Sequence, residues 1–346
     1  MISFFLFVFF IIPLFLFISF NLAKIVNLYD YPDEKRKTHL KPVLLVGGIF
    51  FEIIFLFFFT LFYYFKFENI NEFLLYNLKD NIILLVTLSS IFIVGFLDDK
   101  KDLGPLIRLF LIFIIFYISL NFIGDIFIIQ NLRSFFNYGL NLNTYSIFFT
   151  AFCFITLLNA INMADGINSL SSIIFSIWIF YLNLILPVDS FYFLINIILI
   201  YSLILFAFLN YQNKFFLGDS GCYVLVTYVC FLTAYAYNIN STSNLNYLNV
   251  ESIFLLFMMP GLDMLRLFFK RIFKGKNPFK ADNDHLHHIL ISHFGNFKTL
   301  IIYNLSIFIP WLMYYLFISL LPYLIISLLL IYCYLITLKK KKYEKT

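Results

Sequence analysis

Apolar runs of roughly twenty residues, separated by short polar breaks, recur from one end of this chain to the other. A hydrocarbon core of about 30 Å takes ~20 apolar residues per helix, and none of the runs shows the two-residue alternation of a half-buried strand. Cutting at the charged or Pro/Gly/Asn-rich breaks predicts eleven spans, near 2–22, 44–65, 81–97, 106–123, 144–161, 168–186, 190–209, 220–239, 250–268, 299–319 and 321–338. Backbone polar groups left unpaired in lipid are too costly for open strands, so the spans read as helices. The expected fold class is an all-α polytopic membrane protein with about eleven transmembrane helices, built as a single domain over residues 1–346. The longest polar break, 269–298, is expected to be a cytoplasmic loop.

Composition agrees with this pattern. With 62% hydrophobic and 12% charged residues and a mean hydropathy of +0.92, a water-soluble domain of 346 residues is excluded. The 50 phenylalanines read as interchangeable lipid-facing residues of an AT-rich coding sequence. Cys153, Cys222, Cys230 and Cys333 fall inside predicted spans without paired spacing, which indicates neither a disulfide framework nor a zinc site.

Charge orients the helices. The breaks after spans one, three, five, seven and nine and the tail, with Arg108 and Arg266 at span ends, hold 21 of the 24 lysines and arginines. Only Lys66, Lys79 and Arg133 fall opposite. The positive-inside rule then places the N-terminus outside and the C-terminus in the cytoplasm. Met1-Ile2-Ser3 carries no basic n-region, so the first span is expected to be a retained helix rather than a cleaved signal peptide. The net charge of +5 is the positive-inside bias, and no nucleic-acid partner is expected.

Four polar clusters interrupt the apolar chain on that same cytoplasmic side. Asp98-Asp99 ends span three, with Arg108 entering span four; adjacent carboxylates fit a solvated turn or a metal- or phosphate-handling pair. Asn159, Asn162, Asp165 and Asn168 recur every three residues, and amides at membrane depth normally line a cavity. Helix-end capping by Asp165 or Asn168 accounts for one of the four. Gly218-Asp219-Ser220-Gly221 opens span eight, as a local N-cap or as a hard-oxygen ligand beside glycines that let a phosphate approach. Four of the five histidines lie between 285 and 293, behind a run of lysines and arginines. His285, His287 and His288 there suit a transition metal or, better, hydrogen bonds to phosphate. In span nine, Pro260-Gly261 is expected to kink the helix and Asp263 to meet Arg266 at i,i+3 as a structural pair.

Together these clusters resemble the polyprenyl-phosphate N-acetylhexosamine-1-phosphate transferase family. That family includes undecaprenyl-phosphate N-acetylglucosamine-1-phosphate transferases and phospho-N-acetylmuramoyl-pentapeptide transferases. The resemblance runs over about 33–290. It is carried by Arg36-Lys37-Thr38-His39 with Gly47-Gly48, Asp98-Asp99, the stretch from Asn159 to Asn168, Phe216 to Gly221, and Pro260 through His288. The run Asp282-x-x-His285-x-His287-His288 is similar to the N-acetylglucosamine branch. Pro42 to Val46, Asn168 and Ile289 depart from residues common in the family.

The resemblance implies transfer of a sugar 1-phosphate from a UDP-sugar to a polyprenyl (undecaprenyl) phosphate, with release of UMP. Such a step initiates a cell-envelope glycan, for example a lipopolysaccharide, at the bacterial inner membrane, with the active site facing the cytoplasm. It further implies a magnesium ion, with manganese as a substitute, held by Asp219 and Asn162. Asp98 and Asp99 would serve the acceptor phosphate as catalytic residues. Arg108, His285, His287 and His288 would contact the pyrophosphate or sugar, and Asp165 and Asn168 the nucleotide. The lipid tail would lie near Pro260-Gly261, and a homodimer is one open assembly. Three other readings stay open: the same reaction with a muramoyl-pentapeptide donor, a multi-helix secondary transporter, and a non-catalytic scaffold.

Overall fold

The computed structural model describes residues 2–32, 41–64, 78–188, 190–240, 247–277 and 284–338. Arg36-Lys37-Thr38-His39 and Asp282 of the motifs lie outside the described residues. Every predicted span is a helix: α1 (Ile2–Ile25), α2 (Gly47–Tyr64), α3 (Leu78–Lys101), α4 (Pro105–Phe122), α5 (Ser146–Ala164), α6 (Leu170–Ile185), α7 (Phe191–Tyr211), α8 (Gly218–Asn240), α9 (Val250–Phe273), α10 (Leu286–Leu316) and α11 (Leu321–Thr337). Among the described residues, 10 helices are long and apolar enough to cross a membrane. The remaining one, α6, is apolar but has only 16 residues.

Two small antiparallel pairs complete the chain among the described residues, β1 (Tyr29–Asp30) with β2 (Val43–Leu44) and β3 (Asn131–Arg133) with β4 (Gly139–Asn141). The first has a structural use near the polar clusters. Phe216 N–H donates to the Leu44 carbonyl at 2.8 Å and Val46 N–H returns a bond to the Phe216 carbonyl at 3.0 Å. The segment before α2 is thereby tied to the segment before α8.

The stretch 269–298 differs from the expected loop. α9 continues to Phe273, and α10 begins at Leu286 rather than near 299. Gly295, at φ 73° and ψ 172°, breaks α10, so a short helix bearing the histidines precedes the apolar span. Its polar composition gives no hydrophobic run by which a span could be recognised. The 159–168 stretch also divides: α5 stops at Ala164, which leaves Asp165 to Asn168 in a turn.

At the centre stands α8, buried over 89% of its most apolar window. Hydrophobic on all sides, it packs against α2, α3, α5 and α6. Without a hydrophobic drive between helices in lipid, close packing depends on small residues. A Cβ at Gly48 of α2 would meet Ser220 Oγ at 2.1 Å, and one at Gly95 of α3 would meet Ser220 Cα at 2.5 Å. Polar side chains buried within the bundle satisfy one another, as intramembrane polar groups must. Tyr228 donates to Asn196 Oδ1 at 2.6 Å, and Asn196 Nδ2 donates to Asn183 Oδ1 at 3.0 Å.

A side chain at position 48 has no room that does not move α8. We expect Gly48→Val to destabilise the protein in detergent by about 1–3 kcal/mol, the usual cost of overpacking a dense interior. Thermal melting of purified protein measures it, and a wild-type melting temperature would contradict the packing described.

Candidate functional site

All the polar clusters with described residues lie at one end of the bundle, where their helix ends touch. Asp99, near the C-terminal end of α3, directs both carboxylate oxygens at the first turn of α8. Oδ1 accepts Asp219 N–H at 2.7 Å, while Oδ2 accepts Ser220 N–H at 3.1 Å and Ser220 O–H at 2.5 Å. This is a helix N-cap supplied from another helix rather than from the adjacent chain. A carboxylate suits the positive end of a helix dipole. Gly218, at φ +74°, starts the helix where a Cβ would meet Asp99 Oδ2 at 2.8 Å.

Its neighbour Asp98, only 4% exposed, serves a different set of partners. Oδ1 accepts Leu103 N–H at 2.9 Å; Oδ2 accepts Arg108 Nη1 at 2.8 Å and the Tyr223 hydroxyl at 2.9 Å. Arg108 lies over the Tyr223 ring, 5.8 Å from its centroid. Its Nε is buried and meets no acceptor among the described residues, so the guanidinium keeps an N–H to offer. Asn162 of α5 reaches the same place, its Nδ2 donating to the Tyr223 hydroxyl at 2.9 Å.

Asp219 completes this group. Its half-buried carboxylate stands within hydrogen-bonding reach of Asp98 and within the fields of Asp99 and Arg108. No N–H or O–H donor reaches it among the described residues. Three carboxylates lie together here, Asp98 and Asp219 beside the Arg108 guanidinium and Asp99 next to them, and leave an excess of negative charge that a cation would offset. Among the described residues, no three His, Cys, Asp or Glu side chains form a closed metal cage. The donors present are hard oxygens, and they fit an ion that keeps several waters and takes one or two carboxylates, as magnesium does.

The histidines form a second group beside the first. Asp263 of α9 is buried and accepts the Leu286 N–H at 3.1 Å through both oxygens, capping α10 across the gap between helices. It also meets His285 Nδ1 at 3.0 Å and Arg266 at 2.7 Å. The expected Asp263–Arg266 pair is present, and it anchors the histidine helix. His285 is therefore engaged by Asp263 and buried, whereas His288 is the half-exposed member of the three. The rings of His285 and His287 stack at 5.5 Å, and those of His287 and His288 are 4.2 Å apart. His287 presses against the turn after α5, where a Cβ on Gly166 would sit 2.1 Å from its Nε2.

Asp165 precedes that glycine at the C-terminal boundary of α5. Burial pushes its carboxyl up to about 6, opposed in part by the Ser171 hydroxyl. Asn168 donates to Asn213 Oδ1 at 2.5 Å, and Asn210 receives the Ser169 N–H while donating to the Phe215 carbonyl at 2.7 Å. These amides join the turn after α5 to the segment before α8. Cys222 lies within electrostatic reach of both Asp165 and Asp219, so the two groups are neighbours.

Comparison with known proteins gives the same picture. Residues 81–237 match the model of glycosyl transferase family 4. The similarity to that family covers this stretch. It spans α3 to α8 and contains Asp98, Asp99, Arg108, Asn162, Asp165, Asn168, Asp219 and Tyr223. The chain is similar to an undecaprenyl-phosphate alpha-N-acetylglucosaminyl 1-phosphate transferase of Yersinia pestis, 26% identical over 286 residues, covering 80% of this chain and 73% of that protein. The protein of the same description from Escherichia coli (strain K12) is 26% identical over 300 residues, covering 84% and 75%. That of Thermotoga maritima is 28% identical over 296 residues, covering 82% of each. These relatives agree with the family resemblance drawn from the motifs.

Sequence reasoning missed Tyr223, Gly166 and the capping roles of Asp99 and Asp263. Tyr223 stands among 24 tyrosines and carries no local mark. Gly166, next to Asp165 in a polar turn, offered the only signal.

Two outcomes check this geometry. Removing the Asp263 carboxylate should loosen the histidine helix, since breaking a buried pair costs ~3–5 kcal/mol locally. In Asp263→Ala, amide exchange across 286–290 should accelerate by more than about tenfold, and unchanged protection would contradict the cap. The second outcome concerns Asp165, which keeps its proton to about pH 6 in the native state and to about pH 4 when unfolded. Between those values the unfolded chain binds fewer protons, so its contribution to stability declines as pH rises from about 4 through 6. Asp165→Asn should flatten the fall in melting temperature over that window, and a slope equal to wild type would refute the assignment.

Proposed function

We propose that this protein transfers a sugar 1-phosphate, an N-acetylhexosamine 1-phosphate, from a UDP-sugar to a polyprenyl phosphate and releases UMP. The names of the relatives support the transferase class and the undecaprenyl phosphate acceptor. The observation that carries the reading is the carboxylate of Asp219, which no N–H or O–H donor reaches among the described residues, beside Asp98 and Arg108, where two anionic substrates need a cation and fixed hydrogen-bond donors between them. The basic residues at this end support a cytoplasmic site in the bacterial inner membrane, and the enzyme would there initiate a cell-envelope glycan.

The reaction is an in-line displacement. An oxygen of the lipid phosphate attacks the phosphorus that bears the sugar; a new P–O bond forms, and the P–O bond to the UMP phosphate breaks with its electron pair. A phosphate monoester has a second pKa near ~6, so the acceptor is largely dianionic at neutral pH and needs placement more than deprotonation. Asp219 and Asn162 would hold a magnesium ion, which when bound would neutralise phosphate charge. Arg108, steered by Asp98, offers its remaining N–H to a phosphate oxygen. Asp99 acts by fixing the first turn of α8, and so the place of Asp219. His287, with His288 beside it, borders the turn of Asp165, where the nucleotide and donor sugar would bind.

A panel of UDP-sugars incubated with undecaprenyl phosphate and magnesium tests this, scored by lipid product and UMP. Asp219→Ala and Asp98→Asn should each lower turnover by more than about 100-fold, as loss of electrostatic stabilisation does, while the protein still inserts in the membrane. Near-normal turnover in either variant would remove these assignments. Uptake of a substrate into proteoliposomes without nucleotide would favour the transporter reading.

A further inference from the structure

We propose that Tyr223 is a positioning residue whose hydroxyl sets the rotation of the Asn162 amide, so that its oxygen rather than its nitrogen faces the divalent cation and phosphates. This rests on the function proposed above and adds to it a specific orientation for the amide.

The argument is one of hydrogen supply. A phenol has one hydrogen to give. The Tyr223 hydroxyl lies 2.9 Å from Asp98 Oδ2, which also accepts Arg108 at 2.8 Å. Both Asp98 oxygens already act as acceptors, Oδ1 of the Leu103 N–H and Oδ2 of the Arg108 guanidinium, which has only hydrogens to give. The phenolic hydrogen therefore goes to Asp98. What remains on the Tyr223 oxygen is acceptor capacity, and the Asn162 amide, 2.9 Å away, satisfies it only with its NH₂ end. An amide whose nitrogen is committed points its oxygen away from the partner. With the nitrogen outward, the two oxygens would meet with no hydrogen between them.

Tyr223 is itself held firmly. It is fully buried, a Cβ on Gly95 would come within 3.0 Å of its ring, and Arg108 lies over the ring, 5.8 Å from its centroid. Tyr223 on α8 therefore joins the Asp98 end of α3 to the Asn162 end of α5. Outer-sphere partners that orient a ligand are commonly worth ~10–100-fold in metal affinity.

The test is direct binding of Mn²⁺ to the full-length protein in detergent, followed by electron paramagnetic resonance, with metal-free melting measured alongside. We expect Tyr223→Phe to weaken Mn²⁺ binding by about tenfold or more at a melting temperature near wild type. In that background Asn162→Asp should restore affinity to within about threefold, because a carboxylate presents an oxygen in either rotation. Wild-type affinity in folded Tyr223→Phe, or no recovery in the double variant, would overturn the proposal.

Should Tyr223→Phe fail to fold, single variants at position 162 decide. Asn162→Asp retains Mn²⁺ binding and Asn162→Leu loses it if the oxygen faces the site, whereas equal losses overturn the assignment. A wild-type protein that binds no Mn²⁺ also overturns it. If Mn²⁺ binds as described but no UDP-sugar yields UMP, the positioning role stands and the transferase reading fails.

Discussion

The site depends on a carboxylate that belongs to one helix and caps another. Asp99 of α3 takes three hydrogen bonds from the first turn of α8, and Asp263 of α9 does the same for the first N–H of α10. A helix start carries unpaired N–H groups and the positive end of its dipole, and within a packed bundle water is not at hand to satisfy them. The protein supplies the acceptor, and in doing so fixes where each helix begins. Asp219 stands in one of these first turns and the histidines in the other, so two caps set the relative places of the polar groups.

Close backbone approach makes these caps reachable. Gly48 and Gly95 let α2 and α3 come against Ser220, and Gly166 lets His287 come against the turn after α5. A methyl group at any of them would occupy the volume of a neighbouring atom. Here glycine matters through the absence of a side chain. The positive φ of Gly218 is a separate requirement, that of turning the chain into α8 beside Asp99.

Charge then decides what the assembled end can do. Asp98 and Asp219 lie beside the Arg108 guanidinium with Asp99 next to them; hydrogen bonds absorb the charge of Asp98 and Asp99, while among the described residues no N–H or O–H donor reaches Asp219. Such a group would suit a divalent cation. The Arg108 Nε–H, which meets no acceptor among the described residues, is a donor that would suit a phosphate oxygen there. The region shared with glycosyl transferase family 4, residues 81–237, contains all of these groups. The histidine helix lies beyond it and meets the turn after α5 at Gly166.

The sequence by itself determined the eleven apolar helices and the polar breaks that carry the candidate chemistry, but not where α9 ends or α10 begins. Lipid thickness demands an apolar length, and polar groups that would be costly in hydrocarbon collect at the breaks. It also singled out Asp98, Asn162, Asp219 and His287, because such residues are conspicuous in so apolar a chain. The tertiary structure alone decided their division of labour. Asp98 and Asp99 are neighbours in sequence yet face different partners, one turned to Arg108 and Tyr223 and the other to a helix start 120 residues away. The short histidine helix was hidden by its lack of an apolar run, and Tyr223 by its likeness to the tyrosines that merely pack. Hydrogen bonds and caps are formed between atoms brought together in space, and no local pattern records which distant residue will supply the other half of each pair.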